Sequence, residues 1–196
     1  MKKIVIIGFV LMVIIQLYVP VGMIQSAEKV IAKGKVFKFE TEPVDPYDPF
    51  RGKYITLRFK EDRFTMDKDS TWQSGQKVYA LVEEGPSGFA LVIDLRKETP
   101  SDTDDYFQAE VKYANQYKSD STVLTIQFPF DALYLEESKA PKAEELYRES
   151  LRDDDKLTYA MVSILKGDAI LTDVEIDGES IVDLVRKANQ AESNVD

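Results

Sequence analysis

Between Pro43 and Phe59 the chain gathers residues that can do polar chemistry. Asp45, Asp48, Arg51, Lys53 and Tyr54 are interleaved with Pro43, Pro46 and Pro49 and run into the alternating apolar residues Ile55, Leu57 and Phe59. Three prolines fix φ and push the residues before them towards extended backbone, so the charged groups are carried on a stiff loop. A carboxylate, guanidinium, ammonium and phenol held in this way suit recognition of a polar partner surface. Turn chemistry supplies a plainer reading. In it Asp45 and Asp48 bond nearby amides, Arg51 pairs with one of them, and Tyr54 packs with its hydroxyl at the surface. Gly52, just before the strand, permits a positive φ or the close approach of another chain.

The remaining residue inventory narrows the chemistry. There is no histidine and no cysteine, which removes Ser-His-Asp and Cys-His catalysis, disulfides, zinc ribbons and nearly all transition-metal sites. Any enzyme built from this chain would work with carboxylates, lysine, serine or tyrosine. Asp102, Asp104 and Asp105 superficially suggest a calcium loop. Counting from Asp102, however, Phe107 and Tyr113 stand where an EF-hand needs glycine and glutamate. Asp153, Asp154 and Asp155 read as a solvated turn, and Trp72 as a half-buried residue closing one end of a core. No metal and no cofactor is expected.

Something must position the loop, and the N-terminus supplies an anchor. Ile4 to Ile24 is an uncharged run of 21 residues, and at ~1.5 Å per residue it matches a hydrocarbon core of ~30 Å. A cleaved signal peptide would also carry Lys2 and Lys3 before an apolar stretch and Ser26-Ala27 after it. The run is longer than the usual h-region, though, and Gln25 is a poor residue three before a cut. An uncleaved signal-anchor fits better, with Pro20 bending the helix near its end. Residues 1–25 are therefore expected as the anchor and 26–35 as a stalk. The N-terminus is expected inside and the domain outside the cytoplasm of a single-pass cell-membrane protein. Lys29, Lys33, Lys35 and Lys38 then face the head groups.

The body should be one β-rich domain over 36–190 with a frayed tail at 191–196. Val36, Phe37 and Phe39 belong to a first strand ending at Pro43, and Tyr54 to Phe59 to a second whose core face is Ile55, Leu57 and Phe59. Three hairpins follow: 78–83 with 89–95, 107–113 with 122–128, and 158–165 with 169–176. Short helices are expected at 140–151, after Ser138, and at 180–189. The fold class is mainly β, an antiparallel sheet or partly open barrel with two short helices, preceded by one N-terminal transmembrane helix. From Gly34 onward 21 basic residues face 34 acidic ones, so this acidic domain is a poor partner for nucleic acid.

The segment from Gly52 to Phe59 resembles the GDYXXLXY family, named for the pattern Gly-Asp-Tyr-x-x-Leu-x-Tyr. Gly52, Tyr54 and Leu57 match in spacing, while Lys53 replaces the aspartate and Phe59 the last tyrosine. The likeness extends through the Pro- and Asp-rich run at 43–51 to the anchor, and more weakly into 128–136 and the hairpin ending at Asp177-Gly178. What it implies is a membrane-anchored domain, often associated with multi-span membrane proteins, with no established activity. Lys53 counts against a cation site at that position. The function expected is an accessory or binding protein that docks its domain onto a membrane partner, with Asp45, Asp48, Arg51, Gly52, Lys53 and Tyr54 as the binding residues. A small-molecule ligand is not identified. The alternative is a membrane-tethered hydrolase, because Arg51 to Ile55 distantly resembles a strand of type I signal peptidases. The Ser-x-x-Pro segment that this family carries soon after its membrane anchor is missing at that place here.

Overall fold

The fold is that of a computed structural model, which describes residues 2–42, 54–67, 72–116, 121–153 and 155–193. A single helix, α1 (Lys2–Lys33), contains the apolar run and continues unbroken past Pro20. Its segment 6–33 is long and apolar enough to cross a membrane, and the apolar window is unburied by the rest of the molecule. The stretch expected as a stalk is helical to Lys33. It ends docked on the domain, because Val30 is 2% exposed and its carbonyl oxygen accepts from the Ser163 hydroxyl at 2.7 Å and the Gly34 amide at 2.8 Å.

The domain is mainly antiparallel β. The first sheet has the order β12-β11-β10-β1-β3, built from β1 (Lys35–Glu42), β3 (Arg58–Phe59), β10 (Thr158–Leu165), β11 (Asp168–Ile176) and β12 (Glu179–Ser180). A second sheet, β4-β8-β7-β5-β6, comprises β4 (Arg63–Asp67), β5 (Lys77–Glu84), β6 (Ala90–Arg96), β7 (Tyr106–Gln116) and β8 (Ser121–Gln127). Two strands, β2 (Tyr54–Thr56) and β9 (Ala132–Tyr134), pair apart from both sheets. All three expected hairpins form. The short strands β4, β9 and β12 were not foreseen.

The sheets face each other as a half-barrel joined at two places. At one, the tight turn of β10 and β11 reaches β7, where the Gly167 amide donates to Tyr106 O at 3.0 Å and the Gln108 amide to Gly167 O at 2.9 Å. Gly167 has φ +99°, and a Cβ there would lie 3.1 Å from the Tyr106 ring, so both conformation and space select glycine. At the other, a 3-10 turn (Lys60–Asp62) carries the chain from β3 in the first sheet to β4 in the second.

Alternation along the strands sends Phe37, Phe39, Val78, Ala80, Phe107, Ala109, Val111, Leu124, Ile126, Val162 and Ile164 into the core. Its centre is aromatic. Phe39 contacts Phe59, Phe107, Phe128 and Phe130 with ring centroids 5.1–6.1 Å apart, mostly edge-on, the arrangement that ring quadrupoles favour. Two helices, α2 (Ala140–Ser150) and α3 (Ile181–Ser193), pack against each other, with α2 against β2 and α3 against β11. These bury Ala143 and Tyr147, and Ile181 and Val185, respectively. Pro141 sits in the first turn of α2, where its missing amide costs nothing, but Lys139 rather than Ser138 occupies the cap position. The Ser180 hydroxyl accepts from the Val182 amide and so starts α3.

One expectation needs correction. Residues 54–59 are not one continuous strand: the ladder changes partner at Leu57. β2 pairs with β9, the Leu57 amide donates to Asp131 O at 2.8 Å, and β3 pairs with β1. Curvature is the reason, since a straight strand cannot follow β9 and then turn into the first sheet. The inward face is as read, with Ile55, Leu57 and Phe59 each at most 4% exposed.

Candidate functional site

Of the six residues expected to bind a partner, Asp45, Asp48, Arg51, Gly52 and Lys53 lie outside the described residues. Tyr54 opens β2, where its backbone is opposite Tyr134. The rest of the motif strand borders a cleft of about 260 Å³ between β3, β4 and the bulged part of β7.

Three cations, Arg58, Arg63 and Lys112, and two carboxylates, Asp62 and Asp131, line this cleft. Arg58 points away from the core because it alternates with Leu57 and Phe59. Asp62 and Arg63 come from the 3-10 turn and the first residue of β4, with Arg63 Nε 3.6 Å from Asp62 Oδ1. Lys112 is presented by a β-bulge, at which the β7–β8 register slips between Val111 and Tyr113. The Ser74 hydroxyl donates to its carbonyl at 2.7 Å and secures the bulge. Asp131 accepts from Gln127 Nε2 at 3.3 Å.

Burial raises the Asp62 carboxyl above the usual aspartate range, the Glu42 charge adds to this, and Arg63, Arg58 and Lys112 oppose it. The cleft is thus a mixed-charge surface whose guanidinium groups can grip a carboxylate or a backbone carbonyl. No motif in the sequence marks Arg58, Asp62, Arg63 or Lys112 as a site. Nothing local marked Lys112, because Phe107, Ala109, Val111 and Tyr113 alternate without a break in the sequence and only the bulge leaves Tyr113 55% exposed.

The other polar groups singled out in the sequence are dispersed. Asp102 pairs with Arg96 at 2.6 Å, Asp104 with Lys166 at 3.5 Å and Asp105 with Lys35 at 2.9 Å, so the three aspartates reach three different cations. The Arg96 guanidinium holds the Asp102 carboxyl below its usual range. Among the described residues no group of three or more carboxylates is arranged to hold a metal ion. Asp153 accepts from the Asp155 amide, as a turn residue does. Trp72 is half-buried against the core, with Lys97 Nζ 5.0 Å from its ring centroid. The buried hydroxyls of Ser150 and Ser163 donate to the carbonyls of Tyr147 and Val30, which leaves neither as a ready nucleophile.

No curated protein and no solved structure matches the chain significantly. A family model described as GDYXXLXY protein matches residues 16–174. That match takes in the second half of α1, the motif strand with its cleft, and the β10–β11 hairpin almost to its end, and with it the chain belongs to the GDYXXLXY family.

Proposed function

We propose that this protein is a membrane-anchored accessory protein that docks its β-rich domain onto a partner in the same membrane. The observation that carries this reading is the tight junction between helix and domain. Val30 is buried against the domain, Gly34 alone separates α1 from β1, and β1 begins at Lys35. A domain joined in this way has a fixed height and attitude above the bilayer, which limits its reach but lowers the ordering cost of meeting a neighbouring membrane protein.

The docking face in this reading comprises Asp45, Asp48, Arg51, Gly52, Lys53 and Tyr54 together with the mixed-charge cleft lined by Arg58. The partner is a multi-span membrane protein, and the domain lies on the extracytoplasmic side of the cell membrane, held by an uncleaved single-pass anchor. Nothing in this role requires a catalytic group. The test is crosslinking and co-purification from membranes of the intact chain beside Asp48→Ala, Arg51→Ala and Arg58→Ala, with the melting temperature of each. Recovery of one partner, reduced in variants of unchanged stability, supports docking. Equal recovery with every variant, or no partner at all, overturns it.

A further inference from the structure

A second cavity of about 550 Å³ lies where α1 meets the domain. One wall is a single helical stripe, Met23, Ala27 and Val30, which recurs every three or four residues and so faces one way. Exposure falls along this stripe from 69% at Met23 to 2% at Val30, so the cavity is a wedge that closes at the domain and opens towards the apolar part of α1. The opposite wall comes from the β10–β11 turn and β7, and includes Lys166, Asp168 and Tyr106. Val30 lies six residues beyond Ile24, or ~9 Å along the helix, and a polar head-group layer is ~5–7 Å thick on each side of the bilayer. With α1 across a membrane, the wedge stands at head-group depth with its mouth to the acyl chains.

We propose that this wedge binds the head group of a zwitterionic phospholipid whose acyl chains remain in the bilayer along α1. Its volume falls within the ~300–1,000 Å³ typical of small-molecule sites. Lys166 and Asp168 supply one charge of each sign on the same turn, a match for a phosphate and an ammonium. Among the described residues the Lys166 ammonium is held by a 3.5 Å contact to Asp104, with both side chains more than half exposed, so it can turn to a phosphate at little cost. Anionic lipid is the weaker fit, because residues 34–196 carry 34 acidic against 21 basic groups. The tyrosine rings at 79 and 106, packed edge-on at 5.9 Å, add an interfacial aromatic wall.

This site depends on membrane insertion of α1 and not on any protein partner, and fractionation of the same preparations tests insertion separately. The intact chain is purified from membranes in mild detergent and titrated with phosphatidylethanolamine or phosphatidylglycerol of identical acyl chains, with bound lipid counted by native mass spectrometry. One phosphatidylethanolamine per chain is expected in preference to phosphatidylglycerol. Lys166→Gln and Asp168→Asn should each weaken its retention by roughly tenfold, the scale of one charge-assisted contact, while Lys77→Gln on the exposed side of β5 should not. Equal or tighter retention of phosphatidylglycerol, unchanged retention in both wedge variants, or equal displacement by soluble glycerophosphoethanolamine would overturn the proposal.

Discussion

Gly34 is the point at which membrane anchor and domain are locked together, and replacing it with alanine tests that lock. A Cβ at position 34 would sit 2.5 Å from the Val30 carbonyl oxygen and 2.9 Å from that of Ile164, and would press on the Ser163 hydroxyl as well. Two of these neighbours are backbone, so the strain is relieved chiefly by lifting the end of α1 off β10. That movement sacrifices the 2.7 Å Ser163–Val30 hydrogen bond, worth about 1 kcal/mol, and partly exposes Val30, whose full burial contributes about 1.5–3 kcal/mol. Gly34→Ala should therefore cost about 2–3 kcal/mol, or a melting temperature lower by roughly 5–10 °C for a domain of this size. Ser163→Ala alone should cost about 1 kcal/mol. The double variant should be little worse than Gly34→Ala, because lifting the helix has already broken the serine bond. Thermal unfolding followed through the single tryptophan, Trp72, gives the stabilities, and release of the domain from membranes by trypsin at Lys33 or Lys35 reports the opened junction. A melting temperature for Gly34→Ala within about 2 °C of the parent, or full additivity in the double variant, would refute a docked helix end.

Three further outcomes follow from the core and the cleft. Phe39→Ala removes the ring that meets four other phenylalanines and should cost about 3–5 kcal/mol in denaturant unfolding; a loss below about 2 kcal/mol would mean that the aromatic cluster repacks. The Tyr147 hydroxyl is buried with no well-formed hydrogen bond among the described residues, and burial pushes its phenol up to about 12, with the nearby Thr41 hydroxyl opposing the shift. Its folded pKa exceeds its unfolded value, so its contribution is complete below pH ~10 and about 2–3 kcal/mol is lost as the pH rises towards 12. Tyr147→Phe should match or exceed the parent in stability at pH 7 and remove that component of the alkaline loss, a difference that parallel pH titrations of unfolding would read. Asp62→Asn should stabilise the domain near neutral pH, since burial raises this carboxyl, and the gain should vanish as the pH falls below the carboxylate range. A gain that persists in acid would place its origin elsewhere.

Much of the architecture was legible because its signals are local. Apolar β-forming segments marked the strands of each hairpin, Asp177-Gly178 marked the end of the last one, and the stretch after Ser138 marked α2. The length and apolarity of residues 4–24 alone made a spanning helix the natural expectation. Partner choice was not local. Ile55, Leu57 and Phe59 were readable as one face, but the switch from β9 to β1 at Leu57 depends on elements from distant parts of the chain. The same is true of the cleft, whose Lys112 is aimed by a bulge, and of the helix end, whose contact with Ser163 joins residues 133 positions apart. A period of two dictates which side of a strand is apolar and leaves open which strand will lie beside it. Pairing, register slips and the seating of α1 are decided when apolar faces from the whole chain are buried together, and tertiary packing alone brings that about.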